Sequence, residues 1–173
     1  GYKEGINSAG VSILNTSLDV YDDETEVEAG TAESSPDGRI IAQALLFRDP
    51  VDAVRLLIKR HLGGCTMVFN QRHMYLIEAT DNDGKSAYRY QVREIPRDKT
   101  VARSNHGIWI KDAGYQRRPN NRSETQSRIS SEARLLQAQA VVRQARDPED
   151  LVDGMCQVYV PHAQLNIMRM STG

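Results

Sequence analysis

The chain has 173 residues, 39% of them hydrophobic and 26% charged, with 22 Lys+Arg against 23 Asp+Glu and a formal net charge of -1. That balance removes the sequence-wide electrostatic case for nucleic acid, which needs a surplus of cations to displace counterions. No apolar stretch approaches the roughly 20 residues that cross a bilayer, and no basic-then-apolar leader opens the chain, so one domain spanning 1–173, or the carboxyl-terminal portion of a larger one, is expected away from membranes, with the cytoplasm favoured.

Two cysteines, Cys65 and Cys156, form no CxxC pair, and four histidines, His61, His73, His106 and His162, show no HxxxH or HExxH spacing. No metal site or cofactor is expected. Isolated cysteines of this kind are usually small buried residues rather than halves of a bridge.

In chain order, Val11 to Leu18 is rich in β-formers and reads as a strand mostly buried on both sides, with Asn15 inside it. Asp19 to Glu33 carries seven acids and no base, and it runs on into Ser-Ser-Pro-Asp-Gly. The stretch 19–37 is therefore read as a self-repelling acidic loop, either solvated or a docking surface. Gly38 to Phe47 has a helical apolar stripe, and Asp49-Pro50 restarts a helix with an N-cap acid and a first-turn proline. Leu62-Gly63-Gly64 ends that helix. Thr66–Phe69 and Met74–Glu78 flank a four-residue connection, a hairpin pattern.

After the turn signal Asp81-Asn-Asp-Gly84, alternation from Tyr88 to Ile95 predicts another strand, stopped by Pro96. Thr100 to Ser104 reads as a short strand leading into a polar Arg/Asn-rich loop that runs through Gln126. Ser130 is expected to cap a helix that ends at Arg146, with Asp147-Pro148 opening a further one. The tail from Met155 to Met170 reads as one or two short strands. This order predicts an α+β fold, mainly an antiparallel sheet with helices packed on one face, whose other face needs a cover from another sheet or another chain.

Spacing offers no nucleotide-binding glycine loop, GxSxG elbow or metal motif. Polar residues in awkward places stand out instead: Asn15 in an apolar strand, Asn105 directly after another, and Arg134 on an amphipathic helix. A buried amide costs about 1–3 kcal/mol unless its donors and acceptors are engaged. Each of the three either ties the fold together or awaits a ligand.

Glu4-Gly-Ile-Asn-Ser-Ala-Gly-Val-Ser-Ile-Leu-Asn15 resembles the G-[MI]-N-x-x-G-[LV]-(x)3-N segment of N-terminal-nucleophile hydrolases that cleave linear amides. These are the choloylglycine hydrolases and the acyl-coenzyme A:6-aminopenicillanic acid acyltransferase group. Ala102-Arg-Ser-Asn-His-Gly107 is similar to the TN or TNH segment of that family, and Ser130-Ser-Glu-Ala-Arg134 to its SSxxR helix start. Asp49 to Glu78 looks like its helix, hairpin and IE strand, so the resemblance runs from about Gly5 to Ala138. It implies an αββα sandwich in which an amino-terminal Cys, exposed by autoproteolysis, attacks an amide and its α-amino group relays the proton. Carried over by position, Asn15 would donate to the oxyanion, Asn105 would orient the substrate amide or the nucleophile's amine, and Arg134 would favour the thiolate.

The family places its nucleophile before the Asn15 segment, and no Cys lies there in this sequence. The expectation is therefore a hydrolase or acyltransferase acting on a small N-acyl amine or peptide-like amide. Its Cys would come from upstream sequence or from a second polypeptide; loss of catalysis is the third explanation. Gly64-Cys65-Thr66 matches the acyltransferase processing tripeptide but falls in a hairpin strand, so Cys65 is read as core. His106 is assigned packing or a backbone bond. The alternative is a non-catalytic binding or assembly module, alone or as a homo-oligomer, that docks through the acidic loop or through the basic stretch Arg117 to Arg128; neither nucleic acid nor membrane is an expected partner.

Overall fold

The computed structural model describes residues 4–16, 18, 37–80, 88–110 and 122–157. The elements are β1 (Glu4–Ile6), β2 (Ser12–Thr16), α1 (Asp37–Ala44), α2 (Pro50–Lys59), β3 (Gly64–Phe69), β4 (Met74–Ala79), β5 (Tyr90–Glu94), α3 (Arg122–Gln144) and α4 (Pro148–Gln157). The strands form one five-stranded sheet in the order β1-β2-β3-β4-β5, every pairing antiparallel.

Local chemistry fixes the turns. Asn7 Oδ1 accepts the Ala9 and Val11 N–H groups, closing the β1–β2 turn, while its Nδ2 donates to Leu45 O at 2.9 Å and Phe47 O at 2.7 Å. One side chain thus pins the first hairpin to the exit of α1. Asp49 caps α2 by accepting the Val51 N–H, with Pro50 in the first turn. At the β3–β4 turn Asn70 Oδ1 accepts the Arg72 and His73 N–H groups. Gly64 has φ +101, and a Cβ there would run into the Thr16 carbonyl oxygen and stand 2.9 Å from Asn15 Nδ2, so only glycine lets β3 begin so close to β2.

Alternation along the strands gives the sheet two different faces. On one, Val11, Ile13, Val68, Ile77 and Ala79 bury against Ile40, Ile41 and Ala44 of α1 and Ala53, Val54 and Leu57 of α2. On the other, Thr16, Cys65 and Glu78 stand in register across β2, β3 and β4. There Leu18, Cys65, Leu76 and Ile110 form a second, smaller core with Met67, Ile95 and Trp109 packed beside it. Toward the β1 edge this second face is open: Ile6 is 71% and Leu14 41% exposed.

The fold is α+β with a mainly antiparallel sheet, and it departs from the sequence reading chiefly in four places. First, α1 and α2 share one face, but α3 meets the segment 104–110, which lies on the other. Second, α3 begins at Arg122, eight residues before Ser130, so Ser130 is an interior helix residue and not a cap. The stretch Arg122–Arg128 lacks apolar periodicity, yet Arg, Glu and Gln are good helix formers and no Gly or Pro interrupts them. Third, no strand forms over Thr100–Ser104, because Ser104 and Asn105 are held by side-chain bonds to α3 instead of a ladder. Fourth, β1 is a short edge strand that no pattern announced, and Met155–Gln157 belong to α4. Residues 19–36 of the acidic loop, the Asp81–Gly84 turn, the basic residues Arg117 and Arg118, and the tail beyond 157 lie outside the described residues.

Candidate functional site

Thr16 points away from the α1–α2 face at the end of β2, and its hydroxyl receives the Asn105 Nδ2–H at 2.9 Å, a contact spanning 89 residues of sequence. The same amide accepts the Arg134 Nη1–H on Oδ1 at 3.2 Å. The Asn105 backbone N–H donates to Ser131 Oγ at 3.0 Å, and Arg134 Nε–H donates to Ser130 Oγ at 3.3 Å. Strand, connecting segment and helix therefore meet at one asparagine. Arg134 is half-buried, and burial alone holds its guanidinium below the usual arginine value. The group remains a cation, bonded to the neutral acceptors Asn105 and Ser130.

Beside it lies a hydroxyl cluster. Ser131 Oγ is 2.6 Å from Ser104 Oγ and 2.9 Å from His106 Nδ1, and Ser104 Oγ–H also reaches Ser131 O at 2.8 Å. With one proton and two lone pairs, a serine hydroxyl is filled by these partners and the Asn105 N–H. Ser131 is 3% exposed. The Ser131–His106 contact therefore ties α3 to the 104–106 segment and does not present a nucleophile. Burial foremost pulls the His106 imidazole below its ordinary value, with Arg134 and Arg103 adding to the effect and Glu132 and Glu78 opposing it.

The segment carrying Asn105 is anchored from the sheet by Glu78, which is fully buried. Its Oε2 accepts the Ile108 N–H at 2.9 Å, and its Oε1 accepts the Trp109 and Ile110 N–H groups at 2.8 and 2.6 Å. Three backbone donors converging on one carboxylate offset the desolvation of its charge. The acid in Ile77-Glu78-Ala79 was the sequence signal for this anchor, since a charge in an apolar strand must find partners.

The structure brings Asn105 and Arg134 together and leaves Asn15 apart. Asn15 pairs with Thr66 in register, and its Nδ2 donates to Thr66 Oγ1 at 2.7 Å and to Gly63 O at 3.1 Å. Successive strand side chains point to opposite faces, so Asn15 lies on the sheet face that carries α1 and α2 while Thr16 faces the Asn105 site. Both of its amide hydrogens are engaged there, tying β2 to the start of β3. Cys65 lies on the Asn105 side but is 3% exposed, and burial pushes its thiol up to about 12, against the pull of Arg103 and with Glu78 adding to the rise. It is a protonated core thiol at neutral pH.

Among the described residues no group of three or more His, Cys, Asp and Glu side chains is placed to hold a metal, and no helix is long and apolar enough to cross a membrane. No family model, curated protein or solved structure matches the chain.

Proposed function

We propose that this chain forms part of an amide C–N hydrolase or acyltransferase of the N-terminal-nucleophile type, in which Asn105 and Arg134 line the reaction site. The carrying observation is the direct Arg134–Asn105–Thr16 chain of hydrogen bonds on the sheet face that α1 and α2 leave free. An amide held at both ends by the protein is a preorganised group, able to orient a substrate amide without reorganising. A half-buried cation beside it favours anionic character in whatever reacts there.

In this reading the partly open sheet face, with Ile6 and Leu14 exposed, receives the second sheet of an αββα sandwich, and that layer delivers the nucleophile. Cys65 is excluded from the role by its burial and its raised thiol, and Asn15 serves as a strand tie. The reaction divides accordingly: the incoming thiolate attacks the carbonyl, the C–N bond breaks as the nucleophile's α-amino group passes a proton to the leaving amine, and water or an acceptor amine then takes the acyl group from sulfur; Asn105 fixes the amide plane, and Arg134 stabilises negative charge.

The test is turnover of simple N-acyl amines by the native protein, together with any polypeptide that accompanies it. Asn105→Ala and Arg134→Gln should each lower kcat/KM by about 100-fold or more, with circular dichroism unchanged. Failure of the native protein to cleave any such amide, or full turnover in both variants, refutes the proposal. One observation favours a second reading, a binding module that keeps the scaffold without catalysis: Ser131, Asn15 and Glu78 are all satisfied within the chain. Tight binding of an amide that is never cleaved would single it out.

A further inference from the structure

Arg103 stands apart from the Asn105 network. Its guanidinium lies on the Trp109 indole, 4.6 Å from the ring centroid, and its Nε is buried with no hydrogen-bond partner. Close by, a cavity of about 230 Å3 opens between the 100–103 segment and the last turns of α3. Arg103, Arg143, Gln139 and Thr100 border it together with Val101, Val142 and Ala102, and no acid is among its lining residues in the described part of the chain. Neither arginine takes part in any ion pair among the described residues. Glu94 pairs with His73 at 2.8 Å, and Glu78 accepts the backbone N–H groups of Ile108, Trp109 and Ile110.

From this juxtaposition we infer that the cavity between Thr100–Arg103 and the Gln139–Arg143 turn of α3 binds a small oxyanion, a carboxylate or a phosphate, through Arg103 and Arg143. Two guanidiniums from two elements offer planar sets of N–H donors, the geometry that recognises such groups. Gln139 and Thr100 add neutral donors, and the two valines accommodate a short hydrocarbon tail. At about 230 Å3 the space accommodates an ion of this size. Rotation of the Arg103 guanidinium toward the ligand gives its orphaned Nε–H a partner. The site is separate from the Asn105–Arg134 centre and does not depend on amide chemistry.

The chain contains a single tryptophan, so fluorescence reports on Trp109, which carries the Arg103 guanidinium at 4.6 Å and that of Arg93 at 4.3 Å; the Arg103 and Arg143 variants assign any response to the cavity. The native protein is titrated with inorganic phosphate, with butyrate, and with sodium chloride at matched ionic strength, and calorimetry runs in parallel. A saturable response to phosphate or to butyrate, absent with chloride, is expected; which probe saturates distinguishes tetrahedral from planar anions. Arg143→Gln, an exposed position that leaves the core intact, should weaken the response about tenfold or more, as loss of a charge-assisted hydrogen bond does, and Arg103→Gln should abolish it. If Arg103→Gln does not fold, Arg143→Gln decides. No saturation with either probe, a response that chloride reproduces, or full affinity in Arg143→Gln overturns the inference.

Discussion

Replacing Glu78 by Gln isolates the anchor beneath the Asn105 segment with almost no change of volume. The amide oxygen can keep two of the three backbone donors, Trp109 and Ile110, but the new NH2 faces the Ile108 N–H, donor against donor. One charge-assisted bond worth about 1.5–3 kcal/mol is lost and a buried N–H is orphaned, while the two surviving bonds weaken to neutral strength. Against this, the carboxylate no longer has to be desolvated. The net expectation is a destabilisation of about 2–4 kcal/mol. With a urea slope near 2 kcal/mol/M, that shifts the midpoint by roughly 1–2 M.

Hydrogen exchange supplies the site-specific half of the experiment. The Ile108, Trp109 and Ile110 amides should lose protection in Glu78→Gln, while amides at the centre of the β2–β3 ladder fall only by the global change in stability. A midpoint shift corresponding to less than about 0.5 kcal/mol, with exchange at 108–110 unchanged, would show that the carboxylate does not hold this segment.

Two further outcomes follow from the same face. His106 has its folded value depressed, so its contribution to stability is complete above the unfolded value of about 6.5 and is lost as pH falls through the folded value; denaturation midpoints should decline on acidification, and His106→Gln should flatten that part of the profile. In a thiol-labelling experiment at neutral pH, exposed Cys156 should react and buried Cys65 should not until denaturant is added; rapid native labelling of Cys65 would contradict its place in the core.

Much of the framework was readable from local chemistry. The Asp49-Pro50 cap and the hairpin around Asn70 are decided by residues within a turn of one another, and each appears where its pattern put it. The expected glycine exit of α2 does not: the helix stops at Lys59, His61 takes the left-handed conformation, and Gly64 opens β3. The start of α3 was hidden because helix-forming polar residues leave no apolar stripe. Asn105 and Arg134 meet, but the resemblance alone could not tell that Asn15 would lie on the face that carries α1 and α2. The facing of one strand residue depends on register, which is set by a partner strand about fifty positions away. Arg103 was equally silent, since an arginine inside a short polar motif looks solvated until an indole closes over it.

The contact between Thr16 and Asn105, extended to Arg134, has a consequence for biosynthesis. Among the described residues every ladder in the sheet is complete by Glu94. The bonding constellation, by contrast, cannot exist on the ribosome until α3 has emerged and folded back over its own precursor. A nascent or truncated chain ending before that helix would therefore contain every partner of the sheet ladders yet leave Asn105 without Ser131 and Arg134.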